Sequence, residues 1–245
     1  AVTYNRSLAS LLSGKVAGFS GHHYYDGRPW GPSVAHQIRQ HCKNSAALNH
    51  EKEQGAGIWV TEHGRTPMGT PADTNWKSNW QQTGNLAAAI SVADMAIALA
   101  ADPLIKGQFI HALHATNGPW PLFHRDADSS RFAPSAVYWG MRILRQHMLE
   151  NVIASEAGSA NRSGYEGGYD VRGLMMANAD RSTYALWLVN RHVQPVEIKV
   201  GIDVFSGRTV QATMDFLSAP DSAISNYGGI SRLRPQQKTS AVTFD

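Results

Sequence analysis

The pattern of apolar residues changes once along this sequence, near residue 155, and that change limits the folds open to the chain. Before it, segments with helical spacing alternate with β-prone runs; after it, only short β-prone runs between turn residues remain. The first pattern is typical of a parallel sheet with crossover helices, and the second of an antiparallel β-sandwich. We therefore predict an α/β part over 1–152 and an all-β part over 153–245.

The first part contains three strand-then-helix units, preceded by a helix end at 5–13. In chain order, the predicted strand and helix of each unit are 16–25 with 33–54, 58–62 with 85–101, and 106–116 with 133–149. Pro134 suits the first turn of the last helix. Three units are too few to close an eight-stranded barrel.

The second part contains short predicted strands and a Gly/Ser/Tyr-rich loop at 158–169. The strands are predicted at 173–178, 183–190, 196–200, 209–217 and 241–244.

In the first part of the chain, two long loops are predicted at 64–83 and 117–133. Loops of this length are uncommon and often functional.

Composition excludes several classes of protein. The chain has 245 residues, 42% of them hydrophobic, which fits a globular protein with a real core. The net charge is only +3 and no Lys/Arg block suggests a nucleic-acid groove. No run is long enough for a membrane span, since Asp94 interrupts the Ala-rich stretch. Cys42 is the only cysteine, so no internal disulfide is possible, and both a secreted and a cytoplasmic location stay open.

Titratable side chains collect where the three predicted strands end. The strand ends read Gly21 to Asp26, Thr61-Glu62-His63, and His111 to Asn117. The carboxyl ends of parallel strands meet at one edge of a sheet, which is where (β/α)-barrels keep their chemistry. Carboxylate, imidazole and phenol groups placed together suit acid/base or nucleophilic chemistry. Alternation along the first strand lets only one of the pairs His22/Tyr24 and His23/Tyr25 face such a site.

Other kinds of site are less favoured by the sequence. Five histidines at the strand ends could supply metal ligands, but their spacing matches no strong template, and we predict neither a metal nor a cofactor. Gly18 to Gly21 falls short of a nucleophile elbow, and no Gly-rich phosphate loop occurs. Each histidine taken singly is better explained as a structural residue that makes a hydrogen bond; their position together at three predicted strand ends is what favours a functional role. The tryptophans of the long loops suit sugar rings or ordinary loop packing equally well: Trp76, Trp80 and Trp120.

These segments together resemble a family, the retaining glycoside hydrolases of the (β/α)8-barrel type, and within it the α-L-arabinofuranosidases. The first strand end, Ser20 to Tyr24, resembles the family's Ser-x-His-x-Tyr pattern, and Thr61-Glu62 resembles the strand end that carries the nucleophile. Ala133 to Trp139 resembles the opening of the last barrel helix. In the tail, two segments resemble the accessory sandwich: Leu186 to Arg191 and Ala219 to Asn226.

The resemblance implies a role for several residues. Glu62 would be the nucleophile that forms a glycosyl-enzyme intermediate. Tyr24 would hold Glu62 by a hydrogen bond, and His22 would line the sugar site. We also expect Trp120 and Asn117 to bind the substrate, an oligo- or polysaccharide, with arabinofuranoside side chains of hemicellulose as the best guess. Xylosides and glucuronides are cleaved by related barrels with similar strand ends.

The sequence departs from the family in one respect, the second carboxylic acid. Retaining chemistry needs one about 5 Å from the nucleophile, and the family supplies it from an Asn-Glu pair that does not occur here. We therefore expect this chain to be the C-terminal portion of a larger enzyme, with the other barrel half in the same polypeptide or another chain. Other acids would only contact substrate: Asp26, Asp73, Asp126 and Asp128. The alternatives are a non-catalytic carbohydrate-binding protein and, less favoured, a metal-dependent hydrolase.

Overall fold

The computed structural model describes most of the chain. The described residues are Ser7, 11–12, 15–25, 57–103, 105–114, 118–125, 131–156, 171–191, 195–226 and 233–244. The predicted helix over 33–54, most of that over 5–13 and the loop at 158–169 lie outside them. In the described part of the chain, no helix is both long and apolar enough to cross a membrane.

A three-stranded parallel sheet forms the first part of the fold. Its strands are β1 (Gly18–Tyr25), β2 (Gly57–Arg65) and β3 (Ile105–Ile110), in the order β1-β2-β3. Both pairs are parallel, as the alternation of strands and helices predicted. The strand predicted over 106–116 was too long. It ends at Ile110 because Ala112 exchanges backbone hydrogen bonds with Trp120 and Leu122 instead of continuing the ladder.

Helix α1 (Leu86–Ala101) lies at the centre of the described structure. It begins at Asn85, whose side chain accepts a hydrogen bond from the backbone N–H of Ala88 at 2.8 Å, a typical N-cap. The sequence predicted one apolar stripe along this helix. The helix is instead buried on nearly all sides, because its residues pack into two hydrophobic clusters. One cluster joins residues of the helix such as Leu86, Val92 and Leu99 to Val60 and Tyr25. The other joins Ala93, Ala96 and Ile97 to strands of the second part.

Helix α2 (Ala136–Gln146) packs against α1 and is shorter than predicted. Its N-cap is Ser135, whose hydroxyl accepts from the backbone N–H of Tyr138 at 3.2 Å. Pro134 was predicted in the first turn of this helix, and that prediction was wrong. Because Ser135 caps the helix, Pro134 instead ends the short strand β5 (Phe132–Pro134), which pairs with β4 (Phe123–Arg125).

The second part of the described chain is built from antiparallel strands. A three-stranded sheet contains β6 (Asn151–Glu156), β7 (Val171–Ala177) and β8 (Tyr184–Asn190), and a separate pair contains β9 (Thr209–Phe216) and β10 (Gln236–Thr243). The strand predicted over 196–200 is wrong. Four of its five residues are exposed, so no buried face favours strand pairing there. Strand β6 extends across residues 152 and 153, where the boundary between the two parts was predicted. That domain boundary stays a prediction.

A segment that follows β9 ties the second part to the start of α1. The backbone N–H groups of Leu86 and Ala87 donate to the carbonyls of Ile224 and Ser222, both at 2.9 Å. These are N–H groups of the first turn, which have no partner within a helix. The fully buried Asn226 donates to the carbonyls of Pro134 (3.0 Å) and Leu233 (2.9 Å). The segment resembling the accessory sandwich therefore contacts the helices of the first part directly.

One face of the parallel sheet carries exposed aromatic side chains. Trp59 of β2 is 41% exposed and Phe109 of β3 is 53% exposed, and their rings stack at a centroid distance of 6.4 Å. The Trp59 ring lies across Gly107, where a Cβ atom would approach it to 2.6 Å. Glycine is required at 107 for this close approach. The face opposite, which carries Val60, is the one covered by α1.

His124 lies in β4 and gives the fold a predictable acid sensitivity. It is buried between the start of α1 and that of α2, so close to Gly84 that a Cβ there would lie 2.8 Å from its ring. Burial lowers the pKa of His124 to about 4.

We expect stability to be lost as the pH falls from about 6.5 to about 4, because the unfolded chain binds a proton that folded His124 does not. The loss should reach at most about 3 kcal/mol and be absent above pH 6.5. Urea unfolding across this window should show a smaller loss for His124→Gln. Parallel pH profiles for the two proteins would contradict the assignment.

Candidate active site

An irregularity in β2 places Glu62 at the carboxyl edge of the sheet. Gly21 pairs with Val60 and the next residue of β1, His22, pairs with Glu62, so β2 holds one extra residue here. A matching shift occurs against β3 between Val60 and His63. Such bulges turn a side chain away from the regular alternation and are frequent beside active sites. The bulge sets Glu62 directly opposite His22.

Three side chains from the ends of the strands surround the Glu62 carboxylate. The Tyr24 hydroxyl donates to Oε2 of Glu62 at 2.6 Å. Nδ1 of His22 lies 3.4 Å from the same oxygen, and Nδ1 of His111, the residue after β3, lies 3.8 Å from it. The Glu62 side chain is 34% exposed. It is therefore held on one side and open to solvent on another.

This environment favours the ionised form of Glu62. The hydrogen bond from Tyr24 lowers the pKa of Glu62 by more than partial burial raises it, and the neighbouring His22 and His111 each lower it by a smaller amount. The same contact, after burial, raises the pKa of Tyr24, so that its hydroxyl keeps the proton it donates. The arrangement supplies a carboxylate that is charged and oriented, as a nucleophile requires.

Replacing Tyr24 with phenylalanine should raise the pKa of Glu62 toward its ordinary value, because the first cause of the lowering is removed while the ring is kept. A ¹³C NMR titration of Glu-labelled protein would measure this, with the Glu62 signal assigned by its loss in Glu62→Gln. Tyr138→Phe, which removes a hydroxyl from a ring packed on Phe123 and Trp139, is the matched control. An unchanged Glu62 titration in Tyr24→Phe would contradict this account of the site.

Trp120 forms the wall of the site behind Tyr24. The two ring centroids are 4.6 Å apart with a tilt of 36°, and the His111 ring meets Trp120 edge-on at 5.6 Å. The indole N–H of Trp120 donates to the carbonyl of Arg65 at 2.6 Å. Trp120 thus reaches from the second long loop to the end of β2 and packs on Tyr24, the residue that donates to Glu62.

Buried polar residues support the site from the other face of the strands. The Tyr25 hydroxyl lies 3.1 Å from Nδ1 of His63, and both residues are almost fully buried. Arg65, also buried, donates to the side-chain oxygen of Asn85, the N-cap of α1, at 3.4 Å. The ends of β1 and β2 are therefore fixed to each other and to the central helix.

The structure brings together four of the five predicted site residues: Glu62, His22, Tyr24 and Trp120. Asn117 lies outside the described residues, as do Asp26, Asp126 and Asp128. Asp73 is exposed and accepts from the backbone N–H of Thr70, within its own loop. The sequence interpretation did not include His111 among the site residues. Its position directly after the third strand was the signal that could have identified it.

The described residues offer no second carboxylate to Glu62. The groups whose charge shifts its pKa are histidines, and no acid of the described ranges is among them. Nor do these ranges contain any group of three or more His, Cys, Asp or Glu residues that could hold a metal ion. What the arrangement can do by itself is present one oriented carboxylate to an electrophilic carbon.

Comparison with known proteins gives similarity at the level of structure. No family model matches the chain. No curated protein matches it either. Three solved structures, each aligned over 99–100% of this chain, are an arabinofuranosidase (14% identity, TM-score 0.74), an arabinose complex of α-L-arabinofuranosidase from Thermotoga maritima (15%, 0.70), and the thermostable GH51 α-L-arabinofuranosidase from Thermotoga petrophila RKU-1 (12%, 0.73).

The likeness to these enzymes is one of fold, since so few residues are identical. The match extends over the whole of this chain but over only 52% of each of the three structures. The chain thus spans about half the length of the α-L-arabinofuranosidases it resembles. The expected resemblance to their fold is confirmed.

Proposed function

We propose that this chain carries the nucleophile side of the active site of a retaining glycoside hydrolase. The observation that carries the proposal is Glu62, placed by a bulge at the carboxyl end of a parallel strand and held by the Tyr24 hydroxyl at 2.6 Å. An ionised, oriented and partly exposed carboxylate is what the first step of retaining hydrolysis needs.

The reaction would proceed in two steps. An oxygen of Glu62 bonds to the anomeric carbon as the glycosidic C–O bond breaks, and an acid elsewhere protonates the leaving oxygen. That acid, now a base, then removes a proton from water, whose oxygen displaces Glu62 and releases the sugar. Tyr24 would stabilise the carboxylate before attack and when it is released. His22 and His111 would line the same pocket.

The acid would come from the remaining part of a (β/α)8 barrel. On this proposal 1–152 forms the last three strand–helix units, and 153–245 an accessory β-sandwich. The exposed stacked pair Trp59 and Phe109 supports this, since side chains that point into a barrel are covered by the other strands. The missing strands would lie in the same polypeptide or in another chain.

The proposed substrate is an α-L-arabinofuranoside side chain of hemicellulose. The support is the likeness in fold to enzymes named for that activity. The half-exposed His22 and, outside the described residues, Asn117 are proposed to contact the sugar, and the aromatic Trp120 to form the wall of the sugar pocket behind Tyr24. No cofactor is part of this proposal.

A carbohydrate-binding protein without turnover is the second candidate. It is favoured by one observation, the absence of a carboxylate among the described residues that act on Glu62. Such a protein would keep the aromatic wall and the polar strand ends for sugar contact alone.

Turnover of a panel of nitrophenyl glycosides would separate the two candidates. The panel should include the α-L-arabinofuranoside, β-xyloside and β-glucuronide, tested on this chain and on its longest native form, with Glu62→Gln as the blank. We expect the long form to release nitrophenol, and NMR to show a first-formed sugar of retained configuration. Sugar binding without release by either form would favour the binding protein, and an inverted product would exclude the retaining mechanism.

A further inference from the structure

We propose that Trp120 is a positioning residue that holds the Tyr24 hydroxyl against Glu62. Trp120 is itself held in place by hydrogen bonds to Arg65 and Thr83. The effect of Trp120 on turnover rests on the proposed function, whereas its effect on the Tyr24–Glu62 hydrogen bond does not. It assigns Trp120 a different role from stacking on the sugar. The role follows from what each part of the Trp120 residue contacts.

The backbone of Trp120 is held in an unfavourable conformation. Its φ is +72°, a left-handed value that bulky residues rarely adopt. Such a conformation persists only where the surroundings fix it, and it is frequent at functional sites. Here the Trp120 N–H donates to the Thr83 hydroxyl oxygen at 2.9 Å, and its carbonyl accepts from the N–H of Ala112 at 2.9 Å.

The side chain of Trp120 is fixed as firmly as its backbone. The indole N–H is engaged by the Arg65 carbonyl at 2.6 Å, so it cannot bind a sugar hydroxyl without leaving that partner. The ring lies over Gly64, where a Cβ would come within 3.1 Å of it. Glycine at position 64 therefore leaves room for the close approach of the ring to β2, where a larger residue would make a tight contact.

What the fixed ring supports is Tyr24. The Tyr24 ring packs on Trp120 at 4.6 Å, and its hydroxyl reaches Glu62 from that position. The His111 ring, the third neighbour of the carboxylate, meets the same indole edge-on. Removing Trp120 would leave both rings free to rotate away from Glu62, although the indole N–H donates to the Arg65 carbonyl and not to the carboxylate.

The direct test is a titration of Glu62 by ¹³C NMR in the full 245-residue chain. In Trp120→Ala, we expect the Glu62 midpoint to move up in pH, in the same direction as in Tyr24→Phe. The double variant should show no further shift, because both changes remove the same hydrogen bond. Trp139→Ala is the matched control: Trp139 packs on Tyr138 and Arg142, and its removal should leave the midpoint unchanged.

Two milder variants keep the proposal testable if Trp120→Ala does not fold. Trp120→Phe keeps a ring but loses the bond to the Arg65 carbonyl, and Thr83→Val removes the acceptor of the Trp120 backbone N–H. Each should move the Glu62 midpoint part of the way. A wild-type midpoint in all folded variants would overturn the proposal.

The kinetic readout in an active long form is a lower kcat, by about a hundredfold for Trp120→Ala, with little change in KM. Loss of a sugar-stacking face would instead raise KM and would overturn the positioning role. The titration needs no turnover. Absence of activity would therefore defeat the proposed function while the titration still decides the role of Trp120.

Discussion

In the longest native form of the protein, replacing Glu62 with alanine should lower kcat on the best nitrophenyl glycoside by about four orders of magnitude or more. The reason is that no other described carboxylate acts at this position, so no neighbour can replace it as nucleophile. Binding of the substrate should change far less, since the rings around Glu62 are kept. The kinetic constants of the variant and of Glu150→Ala, an exposed control, would measure this.

Azide should restore turnover to the same variant. The anion fits the space left by the carboxylate and bonds to the anomeric carbon as nitrophenolate leaves, which gives a glycosyl azide of inverted configuration. Nitrophenolate needs little protonation, so the step does not depend on the distant acid. A Glu62→Ala enzyme that keeps a tenth of its activity, or that azide cannot rescue, would contradict the assignment of the nucleophile.

Replacing Asp94 with alanine should destabilise the chain by about 3–5 kcal/mol. Asp94 lies on α1 with a fully buried side chain, paired to Nε of Arg172 on β7 and, at 3.3 Å, to Nε of Arg191 just after β8. Both arginines are themselves largely buried. Without the carboxylate, two buried positive charges would face each other across the junction between α1 and the antiparallel sheet.

Urea unfolding at neutral pH would measure the decrease in the free energy of unfolding of Asp94→Ala. The exposed Asp203→Asn is the control and should change stability by no more than about 0.5 kcal/mol. A combined variant with Asp94→Leu, Arg172→Met and Arg191→Met should recover much of the loss, because an apolar replacement of a whole buried ion group is often tolerated. A loss below about 1 kcal/mol in Asp94→Ala would show that the arginines find other partners.

Local signals predicted the parts of the fold whose causes are local. Helix α1 was predicted over 85–101 and is found at Leu86–Ala101, because apolar spacing and the Asn85 cap act within one segment. Strand β2 was predicted to stop at Glu62 but continues to Arg65. The polar residues His63 and Arg65 indicate a strand end in the sequence, yet both are buried, and the contacts of His63 with Tyr25 and Arg65 with Asn85 come from other segments.

The same distinction holds at the site. Glu62 was predicted to meet side chains of the first strand because parallel strands end at one edge of a sheet. That His22 and Tyr24 are the pair beside it was implied by the family resemblance, since alternation along the strand left the choice between the two pairs open. The bulge that sets Glu62 opposite His22 was not predicted, because one extra residue in a strand does not visibly change the pattern of apolar residues. The position of Trp120 depends on a left-handed backbone conformation and on hydrogen bonds to Thr83 and Arg65, which are far away in sequence. Contacts of this kind result from tertiary packing, so the spacing of residues along the sequence does not predict them.

The hydrogen bonds between the start of α1 and the segment ending at Asn226 have a consequence for the order of folding. A ribosome delivers the chain from its N-terminus, so α1 and the sheet are made long before Ile224 and Ser222 exist to accept from Leu86 and Ala87. Such distant contacts form late and slowly. We expect the nascent chain to hold an incomplete site until residue 226 has left the ribosome. Ribosome-bound chains that end before Ser222 should then be digested by protease more readily than longer ones.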